Sequence, residues 1–574
     1  MYISDYRRRT QAAFSVFFVL FGLSLSCLFY IQFFRSQYLS GIAKKQHNYF
    51  MELEPRRGAI YDTNLKPQAV NLAFDSVYAA PKAVLAKDKE KIVRALTRIL
   101  NLDEASLRSK LARDKSFIWL ARKISPEQSE AIKALNLKGV GFIKESKRSY
   151  PNGYLASQLI GFAGMDNNGQ EGVELLYDEY LKGTPGWALL LRDARSKKIN
   201  LYEKIARPKE GDSLILTIDE VIQYVAEREL DKAYSNSRAK GASIVVMNPN
   251  TGEILAMANR PTFDLNNHSK NSPESRRNRA VCDMFEPGSV FKIVTASAAL
   301  EENKVREQDK FFCENGKYKI ANHILHDHTS HGWLTFQEVI EQSSNIGTCK
   351  VAQILGQEGV HRYVNLFGFG KRTGVDLPGE IPGQVKPLRL WSKTSIFAVP
   401  MGQEVGVTAI QLASAISVIA NGGNLMKPYI VKEIRDSLGE PVKVFSPEVI
   451  RNVLSPESAA RVKKILIGVT ENGTGKMARI PDFTSAGKTG TAQKIEPNGA
   501  YSHSKFVASF IGFAPAEDPQ IAVVVIVDEP KGAYFGGVVS APVFKNVSAD
   551  VLRYLKTRKT ANEVLVLNES IRAN

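Results

Sequence analysis

Phe285-Glu-Pro-Gly-Ser-Val-Phe-Lys292, followed by the run Ile293 to Leu300, decides how this chain is read. Pro287 and Gly288 stop whatever precedes them, so Ser289 sits where a helix begins. Val290, Phe291, Ile293, Val294, Ala296, Ala298, Ala299 and Leu300 put apolar groups on every side. A helix apolar all round belongs in the middle of a domain. Yet this one carries a hydroxyl at 289 and an amine at 292. Positions i and i+3 share a face, about 5–6 Å apart at Cβ. A nucleophile and a base are thereby placed within reach of each other, at the positive end of a helix dipole. The sequence predicts an active site at the head of a buried helix.

Outward from that helix, Asp212–Asp219 reads as a strand leading into a helix, Val221–Ala233. Gly241–Met247 and Ile254–Met257 flank the turn Asn-Pro-Asn-Thr-Gly and read as a hairpin. Near the far end, Lys505–Phe513 and Ile521–Val527 form a second pair of strands. Strands at both ends with helices between predict one antiparallel sheet closed by the first and last segments, an α+β domain flanked by helices. Two further motifs fall in order after Ser289-Val-Phe-Lys292. Ser343-Ser-Asn345 follows a helical Thr335–Glu341, and Lys488-Thr-Gly490, continued by Thr491, enters a strand. Each triplet or quartet alone arises by chance in a chain of 574 residues. The three in this order are specific, and the set occurs in penicillin-binding proteins and class A β-lactamases.

Towards the N-terminus, Ser36 to about Arg207 is mixed, with amphipathic helical patterns at Asp88–Leu100 and Pro126–Leu135. Glu171 and Glu174 stand three apart; paired carboxylates can do acid/base work in glycoside cleavage, but the plainer reading is an exposed helix face. Gln11 to Phe34 holds 24 residues without a charge. At 1.5 Å per residue this makes about 36 Å of helix, enough to span a bilayer. Arg7, Arg8 and Arg9 precede it, so the positive-inside rule leaves the N-terminus in the cytoplasm and everything after it outside. The run exceeds a signal-peptide core and lacks an A-x-A site.

The excess of 76 basic over 59 acidic residues, +17, favours anionic partners. No zinc finger, RNP pattern or basic region with heptads points to nucleic acid. Cys27, Cys282, Cys313 and Cys349 are too few for a disulfide framework at this length, and isolated thiols are expected. His323, His326, His328 and His331 around Asp327 are the one candidate metal cluster, but their spacing fits no zinc motif and a solvated loop is the plainer reading.

These motifs together resemble the class B penicillin-binding proteins. Within them the chain is most similar to septal peptidoglycan D,D-transpeptidases of the FtsI, or penicillin-binding protein 3, type. Arg57-Gly-Ala-Ile-Tyr-Asp62, Arg148-Ser-Tyr-Pro151, Glu171-Gly-Val-Glu174, Phe285-Glu-Pro-Gly288, Met401-Gly-Gln403 and Gly473-Thr-Gly475 carry the resemblance beside the three motifs. It implies a cytoplasmic tail over 1–10, a transmembrane helix over 11–34 and a non-catalytic pedestal of the dimerisation type over 35–207. A transpeptidase domain over 208–556 and a C-terminal tail over 557–574 complete the expected organisation. The implied enzyme, grouped with the serine-type D-Ala-D-Ala carboxypeptidases, needs no metal or cofactor. Ser289 would be acylated by the D-Ala-D-Ala donor of a peptidoglycan stem peptide, and an acceptor amine would release it. Lys292, kept neutral by burial and a neighbouring cation at Lys488, would be the base. Ser343 would relay protons, and Asn345 would hold the substrate amide and orient Lys292. Thr489 and Thr491 would bind the terminal carboxylate, and Gly490 would permit the donor to approach the strand. Backbone N–H groups of Ser289 and Thr491 would form the oxyanion hole.

The implied partners are β-lactams, bound covalently, together with a multispan glycan polymerase and other division proteins. The implied location is the inner membrane, single-pass, with an extracytoplasmic catalytic domain. Asn345 favours the division type, since elongation-type relatives tend to carry Asp there; an elongation-type enzyme is the alternative. A membrane-tethered serine β-lactamase and a non-enzymatic β-lactam sensor or division scaffold are further readings. No glycosyltransferase-like segment and no room for appended wall-binding repeats are evident.

Overall fold

The computed structural model describes residues 2–40, 48–115, 117–192, 198–320 and 323–573. The chain divides into two compact units, Met1–Arg56 with Gly183–Glu210, and Arg57–Lys182 with Gly211–Asn574. In the first, the helix Tyr2–Phe33 contains the apolar segment Tyr6–Phe33, long enough to cross a membrane and with no part of it buried in the protein. The same unit holds an antiparallel sheet of Asn48–Leu53, Gly186–Arg192 and Lys198–Ala206.

The second unit is built on a five-stranded antiparallel sheet. Its order is Ile254–Arg260, Gly241–Met247, Ile521–Asp528, Tyr501–Ala514, Ala486–Ile495. Gly241 pairs with Asp528 and Met247 with Ala522, so the first and last parts of the fold close on one another as the sequence predicts. Side chains alternate across a strand. Ile244, Val246, Val523 and Val525 accordingly enter one core with Ile222 and Val225 of the helix Glu220–Ser237 and Phe544 and Val547 of the helix Ala541–Ala573. Val245, Met247, Val524 and Ile526 enter a second core on the opposite face. There lie the helix Ala409–Ala420, buried at every residue, and the helix Lys292–Glu301, buried at every residue but the last. The apolar run after Ser289 is thus enclosed on all sides, as its composition requires. The last helix continues to Ala573, through the residues read as a tail.

A seven-stranded sheet joins Pro67–Ala79, Ile118–Ile124 and Val140–Ser149 to Ile60–Tyr61, which pairs in parallel with Ser213–Leu216. Ser213–Leu216 in turn pairs with Val431–Arg435. The helices Ala86–Leu100 and Pro126–Ala134 turn Ile92, Val93, Leu96 and Ile132 into a separate small core against it. The reading of Glu171 and Glu174 as an exposed face fails at Glu174, which is 0% exposed. One carboxylate oxygen accepts from Arg57 Nε at 2.7 Å and the other from Arg148 Nε at 2.6 Å. A charge can be buried where counter-charges come with it, and the sequence supplies them 117 and 26 positions away. Glu171 is half-buried and pairs with Arg276 at 3.0 Å. All four cysteines are free thiols.

Candidate active site

Ser289 lies in a 3₁₀ turn, Gly288–Phe291, which runs directly into the helix beginning at Lys292. Gly288 adopts φ +57°, a conformation that disfavours side chains. The hydrogen bond from its N–H to Gly402 O, 3.1 Å, ties the turn to the Met401-Gly-Gln403 segment. Lys292 is fully buried. A buried ammonium needs acceptors, and Lys292 Nζ has three: Ser343 O at 2.6 Å, Asn345 Oδ1 at 2.7 Å and Ser343 Oγ at 3.3 Å. Ser343 holds its carbonyl towards the amine from a left-handed backbone, φ 58°, a conformation that costs of order 1–3 kcal/mol in a non-glycine residue.

Lys488, also fully buried, arrives on Ala486–Ile495, the outermost strand of the five. Its Nζ donates to Ser343 Oγ at 2.9 Å and to Thr489 O at 3.2 Å. The three motifs therefore meet, and the hydroxyl between the two amines is that of Ser343. A hydroxyl has two acceptor lone pairs and one proton. With both amines donating to it, Ser343 keeps that proton free to give elsewhere. Ser289 Oγ is partly exposed and makes no hydrogen bond among the described residues; the expected contact with Lys292 is not formed in this resting geometry. Such bonds are often long before substrate binds.

Burial pushes the Lys292 ammonium down to about 8, against an upward pull from the Asp327 carboxylate. Lys488 is driven well below its ordinary value, first by burial and then by the positive charge of Lys292. The two amines thus disfavour a second charge in the site. Asp327, read from sequence as the centre of a histidine cluster, has another task. It accepts from the backbone N–H groups of Asn345 and Ile346 and from Ser344 Oγ, capping the helix Asn345–Leu366. Among the described residues no group of three His, Cys, Asp or Glu side chains could hold a metal ion. The side chain of His323 lies outside them.

Asn345 uses both ends of its amide, Oδ1 on Lys292 and Nδ2 on His326 O at 2.8 Å. Asn345 thus positions Lys292, and its Nδ2 has a second N–H beyond the one given to His326 O. Thr489 is buried, its hydroxyl 2.7 Å from Thr474 Oγ1 in the Gly473-Thr-Gly475 segment, and Thr491 Oγ1 accepts from Gly536 N at 3.0 Å. A Cβ on Gly490 would lie 2.4 Å from Ser509 Oγ, 2.8 Å from Val290 Cγ1 and 3.0 Å from Pro287 O. The approach that Gly490 permits is first of all to the protein's own serine turn, which seats Ser289 beside the strand. Asp327 and Thr474 are contributors to the site that sequence reasoning misses. Nothing local marks the first, and the second lies in the Gly473-Thr-Gly475 signature, which by itself gives it no role.

The family model for the penicillin-binding protein transpeptidase domain matches residues 242–549, and that for the penicillin-binding protein dimerisation domain matches residues 52–216. Stage V sporulation protein D of Bacillus subtilis is 37% identical over 563 residues, 96% of this chain and 87% of that protein. Peptidoglycan D,D-transpeptidase FtsI of Escherichia coli is 34% identical over 517 residues, 89% of this chain and 85% of that protein. Among solved structures, penicillin-binding protein 3 of Mycobacterium tuberculosis complexed with aztreonam superposes with a TM-score of 0.69 at 27% identity, over 88% of this chain and 97% of that one. With both domain types present and the three motifs assembled in one site, the chain belongs to the penicillin-binding proteins, as a class B member of the FtsI or penicillin-binding protein 3 type.

Proposed function

We propose that this chain is a serine D,D-transpeptidase that cross-links peptidoglycan stem peptides in septal wall synthesis. The observation that carries the reading is the convergence of Lys292 and Lys488 on the hydroxyl of Ser343, beside the turn that bears Ser289. Ser289 Oγ attacks the carbonyl carbon of the donor's D-Ala-D-Ala bond, and its proton passes to neutral Lys292. Ser343, whose proton is free, gives it to the departing amine of the terminal D-Ala and takes in its place the proton now held by Lys292, 3.3 Å away. The oxyanion is held by the N–H groups of Ser289 and Thr491; one such donor is worth on the order of 10²–10³ in rate. An acceptor amine then attacks the ester, gives up its proton along the reverse path, and leaves Ser289 free and a new amide between two stem peptides.

Ala486–Ile495 has an edge unpaired by any other strand of its sheet, as addition of an extended donor peptide requires. Thr489 and Thr491 receive the donor carboxylate there. β-Lactams follow the first half of this path and stop at the acyl-enzyme; the similar Mycobacterium tuberculosis structure is a complex with one of them, aztreonam. The catalytic module spans 208–556 and the pedestal 35–207. The Tyr6–Phe33 helix anchors the chain in the inner membrane with the N-terminus in the cytoplasm, where a multispan glycan polymerase and other division proteins join it. The name of the Escherichia coli relative, FtsI, supports the septal assignment over an elongation role.

Intact-protein mass spectrometry after exposure to penicillin tests the reading. A single adduct is expected, mapped to the peptide containing Ser289, absent in Ser289→Ala and slowed at least about a hundredfold in Lys292→Ala, in line with the contribution of a positioned base. An adduct that persists in Ser289→Ala would overturn the assignment, and rapid turnover of a chromogenic cephalosporin would indicate a β-lactamase instead.

A further inference from the structure

Lys476, Arg479 and Lys545 line a concavity of about 500 Å³ together with Met477, Pro481, Pro542 and Asn546. It lies outside the cleft between the three motifs and shares no residue with it. Its cations come from two separate segments, the turn Lys476–Ala478 with the residue after it and the start of the helix Ala541–Ala573. No carboxylate is within ion-pair distance of any of the three among the described residues, and none lines the cavity. Neighbouring charges are spoken for. Asp482, next to Pro481, binds Arg553 at 2.9 Å, while Arg228 holds Glu229 and Asp550. The Asn546 amide donates to Glu229 Oε2 at 2.9 Å. Lys476 and Arg479 are exposed and Lys545 is half-buried, so the charges reach solvent.

We propose that this concavity is a binding site for a phosphate-bearing ligand, a diphosphate or a phosphate with an attached organic group. Three unpaired cations facing one hollow repel each other until an anion enters. A guanidinium fork flanked by ammonium groups is the combination that recognises phosphate oxygens. The hollow is several times the size of one phosphate, and Met477, Pro481 and Pro542 give it an apolar wall for the group the phosphate carries. The site is joined to the catalytic strand. Lys476 lies two residues beyond Thr474, whose hydroxyl meets that of Thr489 at 2.7 Å. The inference does not depend on the chemistry assigned to Ser289.

The test uses the full chain in phosphatidylcholine nanodiscs, with hydrogen exchange followed over residues 476–481 and 541–546. Inorganic pyrophosphate is expected to slow exchange in both segments. The triple variant K476Q/R479Q/K545Q should bind it more weakly by on the order of tenfold or more, since it loses the charge-assisted hydrogen bonds of all three cations. Fluorescent penicillin labelling checks that the variant is folded; if it is not, Arg479→Gln alone carries the comparison. Protection reproduced by phosphatidylglycerol nanodiscs without pyrophosphate assigns the site to a lipid headgroup. Protection only by the added compound assigns it to a soluble phosphate. No protection in the unaltered chain, or equal protection in the variant, overturns the proposal.

Discussion

A lysine that serves as a base must surrender its proton near neutral pH, and at position 292 the forces doing this are separable. Burial lowers its pKa to about 8, and the Asp327 carboxylate opposes the shift. Acylation by penicillin should therefore rise with pH through about 8. Asp327→Asn removes the opposing charge while keeping a side-chain oxygen to accept from the Asn345 and Ile346 N–H groups. The rising limb should then move to lower pH, measured as the acylation rate of a fluorescent penicillin at several pH values. An unmoved limb would mean that Lys292 is not the group being titrated. Stability follows with a definite sign. Between about 8 and 10.5 the unfolded chain holds a proton on this lysine that the folded chain has lost, so its contribution to stability grows as pH rises through that window. Lys488, shifted in the same direction, adds to the trend.

At the scale of elements, the catalytic strand is held against the serine turn by the absence of a side chain at 490. Gly490→Ala would place a Cβ 2.4 Å from Ser509 Oγ and 2.8 Å from Val290. Overpacking of this kind costs about 1–3 kcal/mol, and here the strain falls between nucleophile and strand. The expected result is a penicillin acylation rate at least tenfold lower with a melting temperature only a few degrees down. Wild-type acylation in this variant would show that strand and turn need not be in register. The same elements show what the sequence made legible. Short unbroken apolar runs at Ile244–Met247 and Ile521–Val527, and the all-apolar helix after Ser289, are local signals, and they locate the sheet, its closing pair and the active site. Glu174 and Asp327 escape such a reading because their partners are remote. Glu174 owes its burial to Arg57, 117 residues away, and Asp327 spends its carboxylate on a helix that starts 18 residues later. Neither leaves a mark within a window of a few turns. The idle hydroxyl of Ser289 is equally hidden, since it depends on where Lys292 finds its acceptors.

At the scale of the whole molecule, the pedestal sheet and the catalytic fold share a strand. Ser213–Leu216 pairs with Ile60–Tyr61 on one side and Val431–Arg435 on the other. Close by, Glu174 fastens Arg57 to Arg148, and Arg148 also donates to Gly58 O at 2.7 Å. Three distant segments thus depend on one carboxylate that water does not reach. Losing one partner of a buried ion pair costs up to about 3–5 kcal/mol; without Arg57, Glu174 keeps only Arg148 and Asp178 loses its guanidinium partner. An exposed pair contributes about 0–1 kcal/mol. Arg57→Ala should accordingly lower the melting temperature by several degrees, whereas Arg108→Ala, which breaks contacts to Glu90 and Glu104 at roughly half-exposed side chains, should leave it nearly unchanged. The shared strand makes a stronger claim. In Arg57→Ala, loss of hydrogen-exchange protection in Val140–Ser149 and loss of penicillin labelling should occur at one temperature, since residues 57–182 and 211–574 form one compact unit. Labelling that outlasts the pedestal sheet by many degrees would show instead that the catalytic fold stands without it, and that the strand Ser213–Leu216 transmits no cooperativity between them.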